Sequence, residues 1–123
     1  MRTAACVFAA ALMTFGAAAS ARPQDPISFT VVAKNYAFRV SGSNAAEIRV
    51  HKNDLVHVTF SAEDIPHSFT VEAPYHIMRR AEPGKDVTFD FRADQVGRFP
   101  FFCNLKIDDR CKDMKGTLVV EDK

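Results

Sequence analysis

Between residues 28 and 120 apolar side chains recur at alternate positions in short runs, and turn residues cut those runs apart at regular spacing. Val87, Phe89 and Phe91 alternate with Thr88, Asp90 and Arg92, and Val56, Val58 and Phe60 alternate with His57 and Thr59. A period of two puts one face of an extended strand in a core and the other toward water. Similar short pieces are read at residues 28–33, 36–40, 47–50, 67–71, 75–78, 99–103 and 117–120. Between them lie the punctuation signals Ser41 to Asn44, Lys52 to Asp54, and Pro83-Gly84. Helical periodicity is nearly absent. Seven to nine short strands with such turns predict an all-β chain, an antiparallel Greek-key β-sandwich. Phe residues after position 21 fall in or beside these strands, where two inner faces of a small domain need large side chains, so they are read as core.

Residues 1–21 have a different character. Arg2 is followed by an apolar run from Ala4 to Phe15 and then by Ala19, Ser20 and Ala21, which is the pattern of a secretory leader cleaved after Ala21. The run is shorter than the ~20 residues of a spanning helix. The expected organisation is therefore a signal peptide at 1–21 and one domain at 22–123, periplasmic or secreted, with no membrane span after cleavage. A chain of that length makes one domain, read as a monomer. The whole sequence has 16 basic and 15 acidic side chains, and removal of Arg2 balances them. No basic stripe is present to follow phosphates, which excludes a nucleic-acid partner.

Export changes what the cysteines mean. Cys6 leaves with the leader, and Cys103 and Cys111 remain in an oxidising compartment, where two thiols pair unless a metal holds them apart. Cys103 ends an apolar strand, Cys111 and Met114 lie on the connection before the last strand, and His67 opens another strand after Pro66. Thiolates, a thioether and an imidazole at strand ends are the donors copper prefers.

Residues 28–121 resemble the cupredoxin superfamily, with a pattern similar to the copper domain of cytochrome oxidase subunit II and nitrous oxide reductase. The resemblance is carried by His67-Ser-Phe after an acidic-containing loop, the Pro83-Gly84 turn, Gly97-x-Phe-x-Phe-x-Cys103, and Met114-x-Gly-x-Leu-Val-Val. It implies a copper loop whose four ligand positions, Cys, Cys, His and Met, fall on Cys103, Ile107, Cys111 and Met114. Ile107 offers no donor and Cys111 replaces the imidazole, so the two-copper centre of that branch lacks a bridging thiolate and a terminal histidine. The surviving set of His67, Cys103, Cys111 and Met114 is sulfur-rich and suits a single copper, Cu(I) above Cu(II), with zinc also acceptable. Electron transfer or copper handling is the implied role, with a redox or copper donor/acceptor protein as partner. Met114 has an alternative as a packing residue, and His67 as a hydrogen-bonded strand-start residue.

The competing expectation is a Cys103–Cys111 disulfide across the seven intervening residues. Its loop closure would contribute about 2–3 kcal/mol, consume both thiolates, and leave a metal-free interaction domain. His51, His57 and His76 are read as surface or rim residues, Asp108 and Asp109 as a solvated loop tip with possible oxygen ligands, and Arg79-Arg80 as a surface pair or the rim of a docking patch. No nucleophile triad, zinc-protease helix, phosphate loop or carboxylate pair appears, so the chain is not expected to be an enzyme.

Overall fold

The alternating runs form nine strands in a computed structural model that describes residues 25–122; the expected leader, residues 1–21, lies outside the described residues. The strands are β1 (Ile27–Lys34), β2 (Ala37–Val40), β3 (Glu47–His51), β4 (Leu55–Ala62), β5 (His67–Val71), β6 (Ile77–Ala81), β7 (Val87–Arg92), β8 (Gly97–Phe102) and β9 (Lys115–Glu121). One sheet has the order β2-β1-β4-β7 and the other β3-β9-β8-β5-β6. Among the described residues the only other element is a 3-10 turn at Cys111–Asp113, and no helix is long and apolar enough to cross a membrane.

The β-sandwich expected from the alternation is present, and its sheets are mixed where antiparallel pairing throughout is expected. β1 lies parallel to β4, with Ile27 opposite Val56 and Ala33 opposite Ala62, and β3 lies parallel to β9. Period-two patterning states which face is buried and is silent on strand direction. Here the chain leaves β2, adds β3 to the opposite sheet, and returns beside β1 as β4. A return after crossing to the other layer can run either way, whereas the two-residue hairpin between β1 and β2 must be antiparallel.

β4 shows the pattern most plainly: Val56, Val58, Phe60 and Ala62 are buried, and the residues between them are half-exposed. Phe38, Phe60, Phe69, Phe89 and Phe101 meet between the sheets. Phe69 stacks on Phe101 at 4.7 Å between centroids, and Phe38 meets Phe101 edge-on at 5.2 Å. Each such ring contributes about 1.5–3 kcal/mol by leaving water. Gly116 permits this packing: a Cβ there would lie 2.0 Å from Phe101 Cζ and 2.7 Å from the Ala46 carbonyl oxygen. The piece read at residues 75–78 shifts to β6 (Ile77–Ala81) because His76, at φ 50°, is left-handed and closes a turn onto the Glu72 carbonyl. Tyr36, read as a strand residue, instead occupies the β1–β2 turn at φ 59°.

These turns matter because three connections converge at one end of the sandwich. The β1–β2 turn donates the Asn35 N–H to Asp64 in the β4–β5 connection, and Tyr36 bonds Asp108 in the β8–β9 connection.

Candidate metal centre

His67 opens β5 immediately after Pro66, and its ring is 1% exposed. Nε2 lies 2.8 Å from Asp64 Oδ1. Burial works to raise the pKa of Asp64, but N–H donors of Asn35 and Ile65 and the His67 ring outweigh it and lower the value from 3.8 to about 2. Asp64 is therefore a carboxylate at neutral pH and accepts the Nε2–H. In the neutral ring the lone pair is then on Nδ1. Nδ1 is buried and has no hydrogen-bond partner. A buried polar atom normally finds a partner, and a histidine held at one ring nitrogen by a carboxylate with the other nitrogen unpartnered is chemically able to bind a ligand there.

The sulfur residues come from the connection between β8 and β9. Cys103 follows β8 and is 1% exposed, Cys111 begins the 3-10 turn at 3%, and Met114 ends it at 1%. The turn is set by Asp108, whose Oδ1 accepts the N–H of Arg110 at 2.8 Å and of Cys111 at 3.1 Å, and by the Met114 N–H, which bonds the Cys111 carbonyl at 3.1 Å. Cys103 and Cys111 are joined as a disulfide, with their Cα atoms 5.4 Å apart. Their thiolates, expected as metal donors, are bonded to each other in this form. Met114 also sits in the hydrophobic core cluster, in keeping with its packing alternative.

Tyr36 spans the two halves. Its ring meets His67 edge-on at 6.0 Å between centroids, its hydroxyl donates to Asp108 Oδ2, and the Arg110 guanidinium lies 4.0 Å from its ring centre. The hydrogen bond to the Asp108 carboxylate raises the phenol's pKa, and the same bond lowers that of Asp108. Below the loop, the Ser68 hydroxyl donates to Asn104 Oδ1 and accepts the Asn104 N–H, both at 2.7 Å, which ties the residue after Cys103 to β5. An open hollow of about 640 Å³ borders Cys103, Leu105, Ile107 and Lys112, but neither His67 nor Met114 lines it.

Four of these residues escape a reading of sequence alone: Tyr36, Asp64, Asn104 and Arg110. Asp64 has a local signal, three residues before a strand-opening histidine. Tyr36 has none, since its partners are 31 to 74 positions away in sequence and meet it only across the closed end. His51 is exposed and lies within 4 Å of Asp54 and Glu121, and His57 pairs with Asp90 across β4 and β7. His76 is exposed beside Glu72 and Met78. None of the three joins the His67 cluster. Asp109 is exposed at the loop tip, Arg79 lies over the Phe89 ring, and Arg80 pairs with Glu82.

Among the described residues no group of three or more His, Cys, Asp or Glu side chains is arranged to hold a metal. With the disulfide closed, the donor set reduces to one imidazole and one thioether, which does not fit copper. Opening it would free two soft thiolate donors, which with the imidazole of His67 and the thioether of Met114 make up donor types that copper accepts.

The periplasmic domain of cytochrome oxidase subunit II from Bradyrhizobium japonicum superposes with a TM-score of 0.70 at 16% identity, covering 82% of this chain and 88% of that one. Auracyanin A, a blue copper protein of Chloroflexus aurantiacus, gives 0.63 at 15% identity over 79% of this chain and 100% of its own. A third structure, a mixed disulfide between a thioredoxin-like protein and subunit II of cytochrome c oxidase, gives 0.65 at 17% identity over 85% and 88% of the two chains. Likeness at this level of identity shows the fold. No curated protein sequence is significantly similar to the chain. The family model for the cupredoxin-like domain matches residues 4–120, and with the two-sheet sandwich and the loop between β8 and β9 already described, the chain belongs to the cupredoxin-like domain family.

Proposed function

We propose that the protein is an exported cupredoxin whose reduced form holds one copper through His67, Cys103, Cys111 and Met114, in electron transfer or copper handling. The observation that carries this reading is the buried, unpartnered Nδ1 of His67, aligned from behind by the Asp64 carboxylate. In the reduced protein His67 would supply the imidazole, the two cysteines thiolates, and Met114 a weak thioether. Copper bound there would supply a one-electron couple, with the sulfur-rich set favouring Cu(I). The chain's own residues bind and orient: Asp64 keeps the imidazole lone pair on Nδ1, and the buried positions of the sulfur residues exclude water. Such a set has no second histidine and does not suit catalysis at an open coordination position. A periplasmic location, a mature domain at 22–123 acting as a monomer, and a redox or copper-exchanging protein partner belong to the same proposal. Support for the compartment comes from the leader-like residues 1–21 and the periplasmic domain of the same fold, and support for a thiol-active partner from the mixed disulfide in which a subunit II domain of that fold was solved.

The disulfide favours a second reading, a metal-free cupredoxin-fold interaction domain stapled at Cys103–Cys111. The two readings separate in one experiment. Protein purified without reductant is mass-measured and thiol-counted, then reduced anaerobically and titrated with Cu(I) under native mass spectrometry. Uptake of about one Cu(I) per chain, lost in Cys103→Ser and weakened in Met114→Leu, supports the copper reading. Reduced, folded protein that takes up no copper leaves the interaction domain standing.

A further inference from the structure

We propose that Tyr36 is a positioning residue that holds the Cys103–Cys111 connection shut over His67, and so sets when a reductant, and then a metal, reaches the site. The metal consequence rests on the copper reading; the control of the disulfide does not.

The turn that presents Tyr36 is chosen against its own backbone preference. Asn35 and Tyr36 form a two-residue hairpin loop between paired Lys34 and Ala37, and both are left-handed, at φ 50° and 59°. That loop favours Asn-Gly, because a side chain at the second position crowds the backbone. An aromatic residue there is conformationally costly and persists where surrounding contacts hold it.

Those contacts all lead to the candidate site. The phenol donates to Asp108 Oδ2, and the other oxygen of that carboxylate accepts the Cys111 N–H at 3.1 Å. Arg110 covers the Tyr36 ring at 4.0 Å, which adds a cation–π contact to the same latch. The same ring meets His67 edge-on. The neighbouring Asn35 N–H donates to Asp64 Oδ2 at 2.8 Å, and Asp64 holds the His67 ring. One hairpin tip thus touches both the histidine side and the disulfide side. Cys103 and Cys111 are 1% and 3% exposed, which leaves an external thiolate little access to either sulfur while the connection stays in place.

Opening the latch has a defined chemical result. A dithiol reductant attacks one sulfur as its thiolate, the S–S bond breaks, and the other cysteine leaves as a thiolate that takes a proton. The reductant's second thiol then attacks the mixed disulfide. The reductant ends as a disulfide, oxidised by two electrons, and Cys103 and Cys111 end as two thiols. The rate depends on access to the sulfur under attack, which is what the Tyr36 latch restricts.

The test uses the oxidised, folded mature chain in metal-free buffer, with dithiothreitol as the dithiol and alkylation mass spectrometry as the readout. Tyr36→Gly suits the left-handed turn, so the thermal midpoint should stay within about 3 °C of the parent, while reduction should accelerate about tenfold through loss of the charged hydrogen bond and the cation–π contact. Tyr36→Phe keeps the ring over His67 and under Arg110 but cannot donate to Asp108, and should be reduced about threefold faster. A Tyr36→Gly rate within twofold of the parent overturns the proposal, as does an acceleration no larger than its loss of global stability explains. If Tyr36→Gly fails to fold, Tyr36→Phe decides by the same twofold limit. Cu(I) uptake by pre-reduced parent is scored separately: its absence removes the copper reading and leaves the disulfide latch intact.

Discussion

Asp64 is the residue whose replacement tests the site most sharply, because its carboxylate faces three donors at once. Oδ1 accepts from the Ile65 N–H and the His67 Nε2–H, and Oδ2 from the Asn35 N–H, each at 2.8 Å. Asp64→Asn turns one of those oxygens into an NH₂ that must face a donor. The carboxyl pKa falls from 3.8 unfolded to about 2 folded, and at 1.36 kcal/mol per unit that difference corresponds to about 2.5 kcal/mol at most. The side chain is 28% exposed, so solvent screening reduces the expected stabilisation to about 1–2 kcal/mol. Because the folded pKa is depressed, this stability is fully present above the unfolded value and is lost as pH falls through about 2. Urea unfolding of parent and Asp64→Asn between pH 7 and pH 2 should show a gap of about 1–2 kcal/mol at neutrality that narrows below about pH 4. A gap that stays constant down to pH 2 would refute the ionised-carboxylate argument and, with it, the fixed Nε2–H tautomer of His67.

Gly116→Ala should destabilise the fold by about 3 kcal/mol, since its Cβ would enter the space of Phe101 and the Ala46 carbonyl; denaturant unfolding measures it, and a change under about 1 kcal/mol would show that the β8–β9 pair relaxes easily. Cys103→Ser with Cys111→Ser should cost about 2–3 kcal/mol against the oxidised parent and nothing comparable against the reduced parent, which unfolding with and without reductant compares. Phe101→Ala should cost about 3–5 kcal/mol, as it removes the ring that meets both Phe69 and Phe38. Exported protein should begin at Arg22 by intact mass; a soluble form that retains Met1 would end the export proposal.

Strand positions and buried faces are legible in the sequence because alternation is local. Whether Val56, Val58 and Phe60 share a face depends only on residues two apart, and β4 buries those side chains. His67, Cys103, Cys111 and Met114 are likewise legible as donor types near strand ends, and all four side chains are buried. What no local pattern contains is strand direction across the layers, the bond between Cys103 and Cys111, and the company His67 keeps. β1 could pair with β4 in either sense until the detour through β3 in the opposite sheet was set. The cysteines presented equally as thiolates and as a disulfide, and closure of the β8–β9 connection brought their Cα atoms to 5.4 Å and joined them. Tyr36 reads as a strand residue by composition, yet it occupies a left-handed turn and meets partners as far as 74 positions along the chain. Local propensity acts over a few residues, whereas a buried lone pair, a latch and a cross-link are properties of groups that meet only when the sandwich closes.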